Sequence, residues 1–121
     1  MGRVASALRL GDCLLVTPQG DLHDSAADLF LEETLESLNK ARCTSLILNM
    51  GNVEVVDSFM GRTIGELIQA ASLHGVKVVV VGLRPEVAIT MVEMNISIGH
   101  VDTALNIDNA LNILNKKRIR P

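Results

Sequence analysis

Asp57 and Ser58 stand where an apolar run, Ser45-Leu-Ile-Leu-Asn-Met50, gives way through Gly51-Asn-Val-Glu-Val-Val56 to a helical pattern beginning at Phe59. A serine at such a junction can cap the helix, and it also offers a hydroxyl that a kinase could reach. A phosphate added there would meet first-turn N–H groups and the positive end of the helix dipole, so the fold can hold the charge. The modification adds about −1.5 to −2 of charge beside Asp57, and any protein docked on that surface would feel it. Arg62, one helical turn beyond Ser58, is placed to answer part of that charge. The plainer role for Ser58 is capping alone, with Asp57 supplying the favourable negative charge at the helix start.

Other chemistry fails mostly by the absence of a constellation. His23, His74 and His100 are far apart and none pairs with a cysteine or carboxylate at metal-ligand spacing, so no metal and no cofactor is expected. There is no GxGxxG after a strand and no GxxxxGK[ST] to cradle a nucleotide. Cys13, inside an apolar strand run, reads as an inert core thiol; Cys43 follows a helix end beside Arg42, where reactivity is conceivable. A phospho-aspartate receiver would share the length and the α/β alternation, with Asp57 as acceptor. That chemistry also needs an acidic pair for Mg²⁺ after an early strand and a late lysine, and neither is present. The expectation is a protein that is not an enzyme.

A chain of 121 residues is long enough to bury a proper core as one domain, here taken as 1–121. Net charge is −3, and the chain has no Trp, no Tyr and two Phe. That balance argues against nucleic acid, which asks for a basic face and stacking platforms. The basic run Lys116-Lys-Arg-Ile-Arg120 follows a helical pattern and reads as a solvated helix end. No apolar run reaches the ~20 residues of a membrane helix, and the opening Met1-Gly-Arg-Val-Ala-Ser lacks a secretory signal. A cytoplasmic location without a membrane partner is expected.

The elements that must position Ser58 are legible as periodicities. Ala5 to Leu10 and Cys13 to Thr17, separated by Gly11-Asp12, predict a β-hairpin. Ala27, Leu31, Leu35 and Leu38 predict a helix with Asp28, Glu32, Glu33 and Glu36 toward solvent, capped by Asp24 or Ser25. Ser45 to Met50 predicts a buried strand. Met60, Ile64, Leu67, Ile68 and Ala71 form the stripe of a second helix over Phe59 to Leu73, stopped by Gly75. Val76 to Val81 is a β-branched strand covered on both faces, and Pro85 opens a third helix to about Met94. A short edge strand is expected around His100 to Ala104, then a last helix through Ile107, Ala110, Leu111 and Leu114. The order predicts an α/β fold: a mixed four- to five-stranded sheet, opening hairpin then parallel β-α units, with about four helices.

The whole chain resembles the STAS domain, the fold of the anti-sigma-factor antagonists. The resemblance is carried by Val56-Asp57-Ser58-Phe59, by Gly82-Leu-Arg-Pro-Glu-Val-Ala88 after the strand, and by Glu93-Met-Asn-Ile96. The Arg-Pro-Glu-Val-Ala stretch narrows it to stressosome-type members. Simple antagonists commonly read Asp-Ser-Ser-Gly-Leu-Gly, whereas this chain reads Asp57-Ser-Phe-Met-Gly-Arg62.

The resemblance implies a signalling scaffold that co-assembles, with itself and with a larger STAS paralogue, into a high-mass complex holding a serine/threonine switch kinase. Phosphorylation of the acceptor, matched by Ser58, would release the kinase into a stress-response pathway, and a phosphatase would reset it. The kinase-binding surface is expected at Asp57, Ser58, Phe59 and Arg62. Related paralogues carry a second acceptor threonine near the third helix, which Thr90 matches by position. The other function in view is a stand-alone antagonist that binds an anti-sigma kinase directly.

Overall fold

Alternation along three buried strands fixes the layers of the molecule. The computed structural model describes residues 5–19, 25–96 and 101–119. Strands β1 (Ala5–Leu10) and β2 (Cys13–Pro18) form an antiparallel hairpin whose register closes at Leu10 opposite Cys13. Gly11 takes φ +61° at the first central position of the turn, where a side chain would be strained. β3 (Ser45–Asn49), β4 (Lys77–Val81) and β5 (Asp102–Ala104) then add in parallel, giving the order β1-β2-β3-β4-β5. The five-stranded mixed sheet and four helices are those of the STAS fold anticipated from the sequence.

On one face, Leu14, Val16, Leu46, Leu48, Val78 and Val80 pack against α1 (Ser25–Ala41), α2 (Ser58–Leu73) and α3 (Pro85–Glu93). On the other, Cys13, Ile47, Val79 and Val81 meet Ala110 and Leu114 of α4 (Ile107–Ile119). Helices on both faces explain why β3 and β4 read as continuous apolar runs rather than alternating ones.

The α2 stripe is buried as expected: Met60, Ile64, Leu67, Ile68 and Ala71 are all in the core. The α1 stripe differs. Ala27, Phe30, Thr34 and Leu38 are buried, while Leu31 and Leu35 are half-buried flanks. Rotating the helix toward Phe30 seals the largest side chain of the stripe completely, at 0% exposure, and this outweighs the two leucines. Asp24, His23 and His100 lie outside the described residues, and the edge strand is described from Asp102.

Three helices end alike. The N–H of Cys43 donates to the Leu38 carbonyl, that of Val76 to Ala71, and that of Ile96 to Met91. The residue before each donor, Arg42, Gly75 and Asn95, has positive φ of 53°, 79° and 58°. This is the Schellman pattern, which satisfies carbonyls that the helix leaves without partners.

Candidate functional site

The loop from Met50 to Asp57 carries the chain from β3 to α2, and four contacts fix its course. The Met50 N–H donates to the Val81 carbonyl at 2.8 Å, and the Val53 N–H to the Met50 carbonyl at 3.0 Å. Val53 and Val56 are buried, so the loop is anchored at both apolar ends. Asn49 Oδ1 accepts from the Gly51 N–H at 3.1 Å, and the Arg84 guanidinium donates to the Gly51 carbonyl at 3.2 Å. Gly82 approaches Gly51 Cα, with any added Cβ only 3.3 Å away, so neighbouring loops at the carboxyl ends of β3 and β4 are packed backbone to backbone.

The loop delivers Asp57, not Ser58, to the cap of α2. Asp57 has extended backbone at φ −89° and ψ −179°, and its Oδ1 accepts from the Met60 N–H at 2.8 Å. The Asp57 carbonyl accepts from the Gly61 N–H at 2.9 Å. Ser58 is therefore the first residue of the helix rather than its cap, which corrects the capping role read from the sequence. Asp57 wins because its carboxylate both accepts the amide hydrogen and favours the positive helix end. The Ser58 hydroxyl is left for other work.

Asp57, Ser58, Phe59 and Arg62 are all exposed, while Met60 and Gly61 between them are buried. Phe59 is 52% exposed and Val55 on the preceding loop 69%, so apolar surface flanks Ser58 on both sides in the chain. Ser58 and Arg62 line one side of a groove of about 290 Å³, continued along α2 by Glu66 and Gln69. Its other side is Met94, Asn95 and Ile96, the turn that ends α3. Sequence reasoning did not assign this turn to the site. The available signal was Asn95, an asparagine just past a helix end, the residue after glycine best suited to left-handed backbone.

Thr90 lies on α3, half-buried, and its Oγ1 donates to the Glu86 carbonyl at 2.9 Å. It does not line the groove shared by Ser58 and Arg62. Cys13 and Cys43 are both buried, and burial is the main cause holding each thiol above its ordinary pKa. For Cys43 the nearby positive charge of Arg9 opposes that rise without cancelling it, so the thiolate expected of a reactive cysteine is disfavoured there. His74 is exposed at the end of α2, with Nδ1 3.0 Å from the Ala70 carbonyl. Among the described residues no three His, Cys, Asp or Glu side chains gather where they could hold a metal ion, and no helix is long and apolar enough to cross a membrane.

Comparison with known proteins places this architecture in a family. The STAS domain model matches residues 5–119. The RsbT co-antagonist protein RsbRB of Bacillus subtilis is 36% identical over 93 residues, which are 77% of this chain and 34% of that protein. The chain thus spans about a third of the length of the RsbT co-antagonist proteins it matches. RsbS of Moorella thermoacetica, carrying the substitution S58E, superposes with a TM-score of 0.86 at 30% identity, covering 96% of this chain and 98% of that one. A chain from the molecular architecture of the stressosome, described as a signal integration and transduction hub, gives 0.85 at 32% identity, covering 95% and 100%. With its sheet, its four helices and nearly its whole length accounted for, the chain belongs to the STAS domain family.

Proposed function

We propose that this chain is a non-enzymatic stressosome scaffold subunit that holds a serine/threonine switch kinase and releases it when Ser58 is phosphorylated. One observation carries the reading: the Ser58 hydroxyl is exposed at the mouth of α2 and freed from capping, because Asp57 does that work. Superposition on RsbS over 96% of this chain supports a stressosome subunit of that kind, and the likeness to RsbRB supports a STAS-bearing paralogue as its partner. The serine exchanged for glutamate in the Moorella RsbS carries the same number, which supports this position as the acceptor.

In the unmodified chain, Phe59 and Val55 offer apolar area to the kinase, with Asp57 and Arg62 setting charge at the rim. Phosphorylation puts a dianion into that contact, and the interface must then desolvate it or lose it. Each 1.4 kcal/mol lost is about a tenfold weaker complex, so a few kcal/mol releases the kinase to a downstream stress-response pathway. A phosphatase restores the uncharged surface. Thr90 is a poorer acceptor, since its hydroxyl must first give up its bond to the Glu86 carbonyl.

The test is reconstitution with the paralogue and the kinase, followed by measurement of particle mass and of the modified residue by mass spectrometry. A very large particle that loses kinase as Ser58 becomes phosphorylated, and keeps it in Ser58→Ala, is expected. A monomer or dimer binding the kinase without the paralogue would instead identify a stand-alone antagonist. Full phosphorylation of Ser58→Ala would remove Ser58 from its role.

A further inference from the structure

We propose that the phosphoryl group on Ser58 is received by the groove between α2 and the turn ending α3, with Arg62 as its counter-charge and Asn95 as the facing wall. The inference rests on the reading of Ser58 as acceptor and adds where the charge goes. In the transfer, Ser58 Oγ bonds to the terminal phosphorus of a nucleoside triphosphate brought by the kinase. The bond to the bridging oxygen breaks, a nucleoside diphosphate leaves, and the hydroxyl proton passes to solvent.

The helix mouth is already partly occupied. Of the first-turn donors, the Met60 N–H is held by Asp57 Oδ1 and the Gly61 N–H by the Asp57 carbonyl. A phosphate settling over those amides would have to displace a carboxylate of its own sign. Ser58, by contrast, opens sideways onto the groove, and Arg62 lines the same groove one turn further along. At about 290 Å³ the groove has room for a phosphoryl group with part of its hydration.

The far wall is built to stay in place. Asn95 is held at φ 58° by bonds from its own N–H to the Val92 carbonyl and from the Ile96 N–H to the Met91 carbonyl, at 3.0 and 3.1 Å. A Cβ at Gly61 would collide with Ile96 Cδ1, so the turn is seated directly on the α2 backbone. Among the described residues the charged groups of the lining are Arg62 and Glu66, with Asp57 next to Ser58 in the chain; the turn contributes Met94, Asn95 and Ile96, none of them ionisable. Among the described residues Arg62 is the sole cation in the lining, with Glu66 on the next turn, so it is the residue through which the groove can favour a dianion.

Phosphoserine installed at position 58 during synthesis, without the kinase, separates this proposal from the one it rests on. The phosphate is titrated by phosphorus NMR in the otherwise unaltered chain and in Arg62→Gln, and the amide shifts of Asn95 and Ile96 are followed. Arg62→Gln should raise the midpoint of the second phosphate ionisation by about 0.3–1 pH unit, less at high salt, because an exposed cation is partly screened. The Asn95 and Ile96 amides should shift on phosphorylation. An unmoved midpoint overturns the proposal, and so do unmoved amides, since an Arg62 effect alone is what a solvent-exposed pair on one helix would give. Failure of the kinase to modify Ser58 would strike the proposed function and leave these readouts intact.

Discussion

The Arg84 guanidinium, at the entrance to α3, donates through Nη2 and Nε to the Gly51 carbonyl, at 3.2 and 3.4 Å. It thereby ties the start of one helix to the loop that leads into Ser58. Arg84→Ala should cost about 1.5 kcal/mol, the low end for a charged donor, given bonds of this length. The 3.9 Å approach of Glu54 to Arg84 is too exposed to add much. Denaturant unfolding checks the loss, and faster amide exchange confined to residues 51–56 checks its location.

Asp57 takes the cap that the sequence pattern assigns to Ser58. Asp57→Ala should destabilise by ~0.5–2 kcal/mol through loss of the cap, whereas Ser58→Ala, at an exposed first helical position, should stay within about 0.5 kcal/mol. Urea melts of the two variants decide it, and the opposite ranking would contradict the cap assignment.

That shift of the cap shows how far the sequence could be read. Strands, helix α2 and the exposed Asp57-Ser58 junction were legible because burial imposes periodicity and the junction lies between two clear patterns. Cap choice was not, because it depends on the backbone angles of the loop, which Arg84, Val53 and Val56 set from a distance. Phe30 was missed because a leucine repeat one position away gave an equally good spacing. Asn95 carries only the family resemblance in the sequence; its place in the groove depends on Ile96 reaching Gly61 across the fold.

Arg42 holds φ 53° at the end of α1, where glycine bears no steric cost. Arg42→Gly should therefore stabilise the chain by about 0.5–1 kcal/mol, the left-handed strain relieved exceeding the extra freedom of the unfolded state. Thermal unfolding with an upward shift bears this out; a downward shift would mean that the arginine side chain contributes more than its backbone costs.

Both cysteines have folded-state pKa values raised above 9.0 by burial. The folded chain then keeps its thiol protons after the unfolded chain has lost them. The contribution is fully present below about pH 9, the unfolded value, and is lost as pH rises toward the folded one. Cys13→Ser and Cys43→Ser variants, despite any packing loss, should show a shallower fall in stability above about pH 9 than the parent. A parallel fall would contradict the shift. Native thiols should likewise resist alkylation at pH 7–8 and react once unfolded in urea.

The claim that charge on Ser58 evicts a docked kinase is tested most directly by kinase affinity for the chain with and without phosphoserine at that position, at low and moderate salt. The account predicts at least a tenfold weaker complex on phosphorylation, with the gap narrowing as salt screens the repulsion. Equal affinity for the two forms at both salt concentrations would contradict it.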